Sequence, residues 1–250
     1  MVNIKAKGKQ VKLNCDLGEL QHSNDAEIMP YIDQANIACG FHASDPLNML
    51  HTVRLAVKHN VTIGAHPSYP DKKHFGRRSM KFSAEQLIAI IHYQIGALMT
   101  ICQAENTALS YVKPHGALYN DMMADSRLFS TVCQALGSLK VPLSLMIQAL
   151  PNNTLFSNIA EQWQITLISE AFADRAYQRS GLLVPRSQKN AVLNALKPVL
   201  RQARTLVENQ QVMTIDGGLI DIKANSLCVH GDTPSAITLI KALRHQLNAI

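Results

Sequence analysis

Ionisable side chains lie directly after four apolar, β-branched stretches of this chain. Carboxylates and imidazoles can move protons, and an ammonium group can stabilise negative charge. The groups at these positions that we expect to be catalytic are Asp16, Glu19, His42, His66, Lys113 and His115. A fifth stretch, Leu227–Val229, runs into His230 and Asp232.

The carboxyl ends of parallel strands wrapped by helices open onto one common mouth. Five strand ends that carry acidic and basic groups therefore predict one converging active site. Arginine suits a substrate carboxylate or a phosphate by bidentate pairing, and lysine suits it as a point charge. The residues that we expect to bind substrate or phosphate are Asn14, Asn36, Asp45, Arg77, Arg186, His230 and Asp232.

Strand-like and helix-like segments alternate along the chain, which predicts βαβ units and a mainly parallel sheet. The predicted strands are Val11–Asp16, Ala35–Cys39, Val61–Ala65, Tyr111–Lys113, Leu143–Ile147, Thr166–Ser169, Val212–Ile215, Leu219–Ile222 and Leu227–Val229. The predicted helices are one after Asn24, Pro46–His59, one from Ser83 to Cys102, Ser126–Leu136, Lys189–Val207 and one that begins at Thr233.

Capping signals mark several of the predicted helix starts. Ser83 with Gln86 forms a capping-box pattern, and Asn24 with Glu27 forms another. Asp45 precedes a proline, which is typical of an N-cap followed by proline at the first helical position. Asp45 could therefore serve only to cap a helix.

Two long loops separate these elements, and loops of this length are often lids or binding loops. Pro67–Phe82 carries five basic side chains, and Glu170–Ser187 mixes carboxylates with arginines. In the second loop, Glu170 and Asp174 could merely pair with neighbouring arginines.

The composition is that of a globular protein, with 250 residues, 47% of them hydrophobic, and a net charge of +6. We expect one domain over residues 1–250, because no linker-like stretch divides the chain. Moderate charge without a basic run among aromatics gives little support for nucleic-acid binding. Met1–Gln10 lacks the apolar region of a secretory signal, and no apolar run approaches the roughly 18 residues of a membrane span. Five cysteines without Cys-x-x-Cys argue against a disulfide framework, so we expect a cytoplasmic protein.

Ordered motifs along nearly the whole chain carry a family resemblance. They are Leu13–Glu19, Ala35–Pro46, Gly64–Asp71, Phe75–Arg77, Lys113–Tyr119, Phe172–Arg175, Leu183–Arg186 and Val229–Asp232. These motifs resemble those of the LamB/YcsF family, the A subunits of bacterial 5-oxoprolinase. Two departures from the family pattern are Cys15 in place of Ala and Ser44 in place of Gly. Ser44 places a Cβ in the turn after His42 and could reshape it.

The resemblance implies an α/β fold, a distorted (β/α) barrel of mainly parallel strands similar to glycoside hydrolases and deacetylases. It implies the catalytic subunit of an ATP-dependent 5-oxoprolinase, which opens the lactam of 5-oxoproline (pyroglutamate) to L-glutamate. Subunits B and C are the implied partners, and ATP with Mg²⁺ is the implied cofactor. Because the chain has no P-loop motif, we expect the partner subunits to provide most of the ATP-binding site.

A protein-bound metal is a further question that the sequence leaves open. By resemblance to the related deacetylases, Asp16, His42 and His66 would form an Asp-His-His set for a divalent ion. No closely spaced His-x-x-x-His pair is present to support it.

The possible metal set leaves one alternative function open, a stand-alone metal-dependent deacetylase-like hydrolase. A second is a non-catalytic scaffold subunit, which the convergence of ionisable groups disfavours.

Overall fold

Seven parallel strands close into a barrel in the computed structural model, which describes residues 11–19, 24–229 and 236–248. The strands of the described chain are β1 (Lys12–Leu17), β2 (Gln34–Ala38), β3 (Thr62–His66), β4 (Leu109–Val112), β5 (Ser144–Gln148), β6 (Leu167–Phe172), β7 (Gln211–Met213), β8 (Leu219–Asp221) and β9 (Ser226–Cys228). The barrel order is β1 to β6 and then β9, which pairs with β1. The expected barrel of parallel strands is confirmed, and β7 and β8 form a separate antiparallel pair.

Helices connect the strands of the barrel. They are α1 (Asp25–Ile28), α2 (Pro46–Lys58), α3 (Ala84–Ala104), α4 (Gly116–Ala124), α5 (Ser126–Ser138), α6 (Thr154–Gln162), α7 (Leu196–Asn209) and α8 (Ala236–Asn248). Two short 3₁₀ helices, Met29–Tyr31 and Lys72–His74, lie between them. The predicted start of the last helix at Thr233 lies outside the described residues.

Helix boundaries were wrong where the sequence lacked clear capping signals. The helix predicted from Lys189 begins only at Leu196, because the preceding residues form a backbone bridge between Arg175 and Val192. Neither α4 nor α6 was predicted, and neither has a side-chain hydrogen bond at its N-cap. Without such a cap, the sequence offers little contrast between the loop and the first helical turn.

The two predicted capping boxes have different outcomes. Ser83 and Gln86 form both reciprocal hydrogen bonds at the start of α3, as predicted. Asn24 makes no side-chain cap bond, so that prediction was wrong. Its neighbour Asp25 is buried, and its carboxylate accepts a 2.7 Å bond from the Gly18 amide. Asp25 therefore fixes the turn that follows β1.

Helix α3 corrects the expectation about membrane-length segments. Its 21 residues are long and apolar enough to cross a membrane by length and composition alone. One face of the helix is fully packed in the core, as in the core helices of soluble proteins. The buried apolar residues on that face are Leu87, Ile91, Ile95, Leu98 and Cys102.

A glycine in β3 permits the packing of a tyrosine inside the barrel. A Cβ on Gly64 would lie 2.2 Å from the ring of Tyr111, which is buried in β4. The Tyr111 hydroxyl donates a 2.6 Å hydrogen bond to Asn36 Oδ1. The missing side chain at Gly64 therefore allows a polar contact that reaches β2.

We predict that Gly64→Ala destabilises the protein by at least about 1–3 kcal/mol, because overpacking a full core displaces its neighbours. The free energy of unfolding from urea denaturation measures this. Gly96→Ala is the matched control, because a Cβ there meets nothing within 4 Å inside α3. That control should be neutral or stabilising by up to about 1 kcal/mol. Equal stability of the two variants would contradict the close approach at Gly64.

Candidate functional site

The carboxyl ends of the barrel strands surround a cavity of about 450 Å³. Such a volume is typical of pockets for small ligands. The predicted site residues that line it are Asp16, Glu19, His66, Arg77, Lys113, His115 and Arg186. The expected convergence of strand ends on one mouth is therefore present in the described structure.

Lys113 follows β4 and lies among carboxylates from two other strands. Its Nζ is 2.8 Å from Asp16 Oδ1 and 2.8 Å from Glu170 Oε1. The Lys113 side chain is only 4% exposed. Burial by itself lowers the pKa of this ammonium, but the charges of Asp16 and Glu170 outweigh that effect and raise the pKa well above its usual value. Lys113 is therefore a permanent positive charge in the wall of the cavity.

Asn14 and Asn36 lie beneath the cavity and support Asp16 instead of lining the cavity. The Asn36 amide donates to Asp16 Oδ1 at 2.7 Å and to Asn14 Oδ1 at 2.9 Å. Both asparagines are fully buried. Neither asparagine lines the cavity, and their hydrogen bonds indicate a role in positioning Asp16. Their predicted role in substrate binding stays a prediction.

Glu170 belongs to the site, although the sequence did not predict it as a site residue. It belongs to strand β6, not to the long loop, and it is fully buried. It pairs with Lys113, and its Oε2 accepts a 2.8 Å bond from the Tyr119 hydroxyl. The alternative of pairing with neighbouring arginines was wrong for Glu170. The alternation of β6 places its side chain inside the barrel, and a longer strand prediction would have indicated this.

Four residues form a second group, which we call the histidine cluster: Glu19, His42, His66 and His115. Glu19 Oε1 lies 3.1 Å from His42 Nε2, 3.3 Å from His115 Nδ1 and 3.9 Å from His66 Nε2. His115 Nδ1 is 2.9 Å from His66 Nε2. The ring planes of His42 and His115 stack with centroids 3.7 Å apart. This cluster is the set of described side chains that could hold a metal ion.

Backbone carbonyls define the tautomers of two of these histidines. His66 Nδ1 lies 2.7 Å from the Lys113 carbonyl, and His115 Nε2 lies 2.9 Å from the Phe75 carbonyl. A carbonyl oxygen only accepts hydrogen bonds, so each of these nitrogens carries the hydrogen. Burial, together with the neighbouring imidazoles, lowers the pKa of His42 and of His115 well below the usual value. His42 and His115 are therefore neutral imidazoles at pH 7.

Asp16 lies between this cluster and Lys113. Its Oδ1 is bound by Lys113 and Asn36, and its Oδ2 is 3.4 Å from His66 Nε2. The Asp-His-His set suggested by the resemblance stays a prediction, and Glu19 lies with the three histidines in the tighter group. Asp16 is a carboxylate on the cavity wall with its position fixed from two sides.

Arginines line the outer part of the cavity. Arg77 and Arg186 line it as expected, and Arg175 does so as well. Arg175 is buried and donates to the carbonyls of Val184 and Ala191. Burial and the nearby charge of Arg186 lower the pKa of Arg175 to about 10. The outer cavity is thus suited to an anionic ligand.

The remaining predicted binding residues lie elsewhere. The Asp45 side chain accepts a 2.9 Å bond from the Asn48 amide and caps α2, so its position supports the capping interpretation. Asp45 does not line the cavity. His230 and Asp232 lie outside the described residues.

Ser44, one of the two departures from the family pattern, has an unusual backbone conformation. Its φ is 80°, in the left-handed region that favours glycine. A side chain there costs roughly 1–2 kcal/mol relative to glycine. The Ser44 carbonyl accepts a 3.0 Å bond from Lys72 Nζ, which joins this turn to the first long loop.

The chemistry that this arrangement supports is proton transfer beside a cavity lined by an ammonium and several guanidinium groups. A fixed carboxylate at Asp16 can accept a proton from water, and the ammonium and guanidinium groups can stabilise negative charge. The acidic, basic and apolar walls together suit a small, anionic substrate.

A family profile, two related sequences and one crystal structure each match nearly the whole chain. The sequence profile described as the LamB/YcsF family matches residues 11–250. An A subunit of 5-oxoprolinase from Vibrio cholerae serotype O1 is 49% identical over 244 residues, which cover 96% of this chain and 98% of the relative. One from Pseudomonas fluorescens is 48% identical over 240 residues, with 94% and 96% covered. The crystal structure of a lactam utilization protein from Thermus thermophilus has a TM-score of 0.88 at 38% identity, with 96% of both chains covered.

We predict that Lys113→Met destabilises the protein by about 3–5 kcal/mol, because removing one member of a buried ion pair leaves charge uncompensated. The free energy of unfolding in urea at pH 7 measures this. The control is Arg204→Met, which breaks the exposed pair with Glu208 on α7 and should cost less than about 0.5 kcal/mol. A small, equal cost for both variants would show that Lys113 does not hold the two strands together.

Proposed function

Because the chain belongs to the LamB/YcsF family, we propose that it is the lactam-opening subunit of an ATP-dependent 5-oxoprolinase. In this proposal, it converts 5-oxoproline to L-glutamate together with subunits B and C, in the cytoplasm. The observation that carries the proposal is the carboxylate of Asp16, which Lys113 and Asn36 hold at the wall of the cavity. The relatives are named as A subunits of 5-oxoprolinase and as a lactam utilization protein, and these names support the same substrate class.

A five-membered lactam is a stable amide, so its opening needs activation. Transfer of the terminal phosphoryl group of ATP to the lactam oxygen leaves ADP and makes C5 of the ring electrophilic. Water then adds to C5 as a base takes its proton. Cleavage of the C5–N1 bond, with a proton returned to N1, leaves an acyl phosphate that a second water hydrolyses to glutamate and phosphate.

In this proposal, Asp16 serves as the base and then as the acid. It lines the cavity, and its Oδ1 is fixed by two donors while Oδ2 faces His66. A positioned carboxylate of this kind contributes roughly 10²–10⁴-fold to a proton-transfer step. Lys113 keeps positive charge next to the oxygens on which negative charge develops.

The substrate carboxylate and the phosphoryl group suit the arginines of the outer cavity. Arg186 and Arg77 can pair with such anions, and Arg175 adds positive charge behind them. We assign ATP and its Mg²⁺ mainly to the partner subunits, because the chain lacks a P-loop motif. This chain would then receive an activated substrate and open its ring.

We predict that Asp16→Asn lowers glutamate release from 5-oxoproline and ATP at least about 100-fold when the variant is combined with subunits B and C. The wild-type chain alone should release none. Glu208→Gln, on the exposed face of α7, is the matched control and should retain full activity.

Other outcomes of this experiment favour the alternatives. Activity of the mixture that survives Asp16→Asn would indicate the scaffold subunit. Hydrolysis of an acetylated sugar by the chain alone, lost with a chelator, would indicate the deacetylase-like enzyme.

We predict that Arg186→Gln raises the KM for 5-oxoproline in the full mixture by roughly 10–100-fold, the loss expected for one hydrogen bond to a charged group. The kcat should change much less, because in this proposal Arg186 binds the substrate carboxylate and takes no part in the ring-opening step. Arg179→Gln is the control, because Arg179 lies in the same loop, pairs with Asp216 and does not line the cavity. An unchanged KM would place the substrate carboxylate elsewhere.

A further inference from the structure

We propose that the histidine cluster of Glu19, His42, His66 and His115 binds one divalent transition-metal ion of the zinc class. The cluster offers three imidazole nitrogens and one carboxylate oxygen, all within 4.8 Å of one another. Imidazole with a carboxylate is a ligand set that suits such ions. Ion binding by these four residues does not depend on the proposed activity.

The distances between the ligand atoms fit a common centre. With bonds of about 2.0–2.2 Å, the ligands of a tetrahedral zinc ion lie about 3.3–3.6 Å apart. The measured separations are 2.9 Å between the His66 and His115 nitrogens, and 3.1, 3.3 and 3.9 Å from Glu19 Oε1 to the three imidazoles. All four atoms lie within 4.8 Å of one another, so the more distant side chains would move toward the ion as it binds.

The tautomers of the histidines provide an independent observation. His66 and His115 each donate one ring N–H to a backbone carbonyl. In their neutral forms, the other two nitrogens are therefore unprotonated, and these atoms face one another at 2.9 Å. Two lone pairs at that distance repel each other unless a cation lies between them. A metal ion supplies that cation and uses both lone pairs.

The carbonyl contacts are also those that metal-binding histidines need. A ligating imidazole almost always donates its second N–H to a carbonyl or a carboxylate, which fixes its orientation. The Lys113 and Phe75 carbonyls provide these contacts for His66 and His115. Gly76 packs closely over the stacked rings, since a Cβ there would lie 2.9 Å from His42 Cβ. The protein therefore holds the rings in place before an ion binds.

The charges around the cluster favour a divalent cation. Asp16, Glu19 and Glu170 are three carboxylates in this buried region, and Lys113 is the ammonium that pairs with two of them. Carboxylates therefore outnumber the ammonium among these four groups, and a bound cation would gain from that excess. Glu19, His66 and His115 line the cavity, so the ion would be reachable from it.

The first test is the metal content of the intact chain, purified, stripped with a chelator and dialysed against Zn²⁺. We expect close to one ion per chain by elemental analysis, and an increase in Tm when Zn²⁺ is added back. Co²⁺ added to the stripped protein should give the visible absorption bands of a four-coordinate ion with nitrogen and oxygen ligands. These measurements need neither substrate nor partner subunits.

Variants locate the ion. Glu19→Gln and His115→Asn should each weaken Zn²⁺ binding at least about 100-fold, more than the loss typical of an outer contact. His74→Asn is the matched control, because His74 pairs with Asp71 outside the cluster and should leave binding unchanged. Circular dichroism confirms that each variant is folded.

Two results would overturn the proposal. One is a stripped wild-type chain that takes up less than about a tenth of an equivalent of Zn²⁺ or Co²⁺, which would leave a shared proton between His66 and His115 as the explanation. The other is binding that persists equally in Glu19→Gln and His115→Asn, which would place the ion elsewhere. Metal binding together with an absence of 5-oxoprolinase activity would contradict only the proposed function.

Discussion

The buried ammonium of Lys113 is the interaction on which the rest of the site depends. It follows β4 and meets carboxylates from β1 and β6, so one charge joins strands across the barrel. Burying an ion costs several kcal/mol unless its partners are well placed. The strands must therefore stay in the register that brings Asp16 and Glu170 to within 2.8 Å of Nζ.

The same residue connects the two halves of the site. The Lys113 side chain fixes Asp16, and its carbonyl fixes the tautomer of His66. Below them, Asn14 and Asn36 continue the hydrogen-bond network inside the barrel and leave Asp16 little freedom to move. A network in which each member holds its neighbour specifies one arrangement, whereas an incomplete network would only cost stability.

The sequence predicted the strand ends well, because the change from an apolar stretch to ionisable residues is a local signal. It could not predict which side chains meet across the barrel. Glu170 was assigned to a loop, since β6 continues three residues past its predicted end. The position of Glu19 among all three histidines depends on how the chain turns after β1, which the sequence does not reveal. Asn36 proved to support Asp16, which its position in the sequence does not reveal.

That turn explains how two carboxylates three residues apart come to have different surroundings. Gly18 adopts a φ of 71°, and its amide donates to Asp25, so the chain bends between Asp16 and Glu19. Asp16 then faces an ammonium and an amide, and Glu19 faces imidazoles. Carboxylates in different environments can take different roles in one reaction. If both proposals hold, Asp16 would move protons while Glu19 binds the ion, and a single turn after β1 would keep the two roles apart within one cavity.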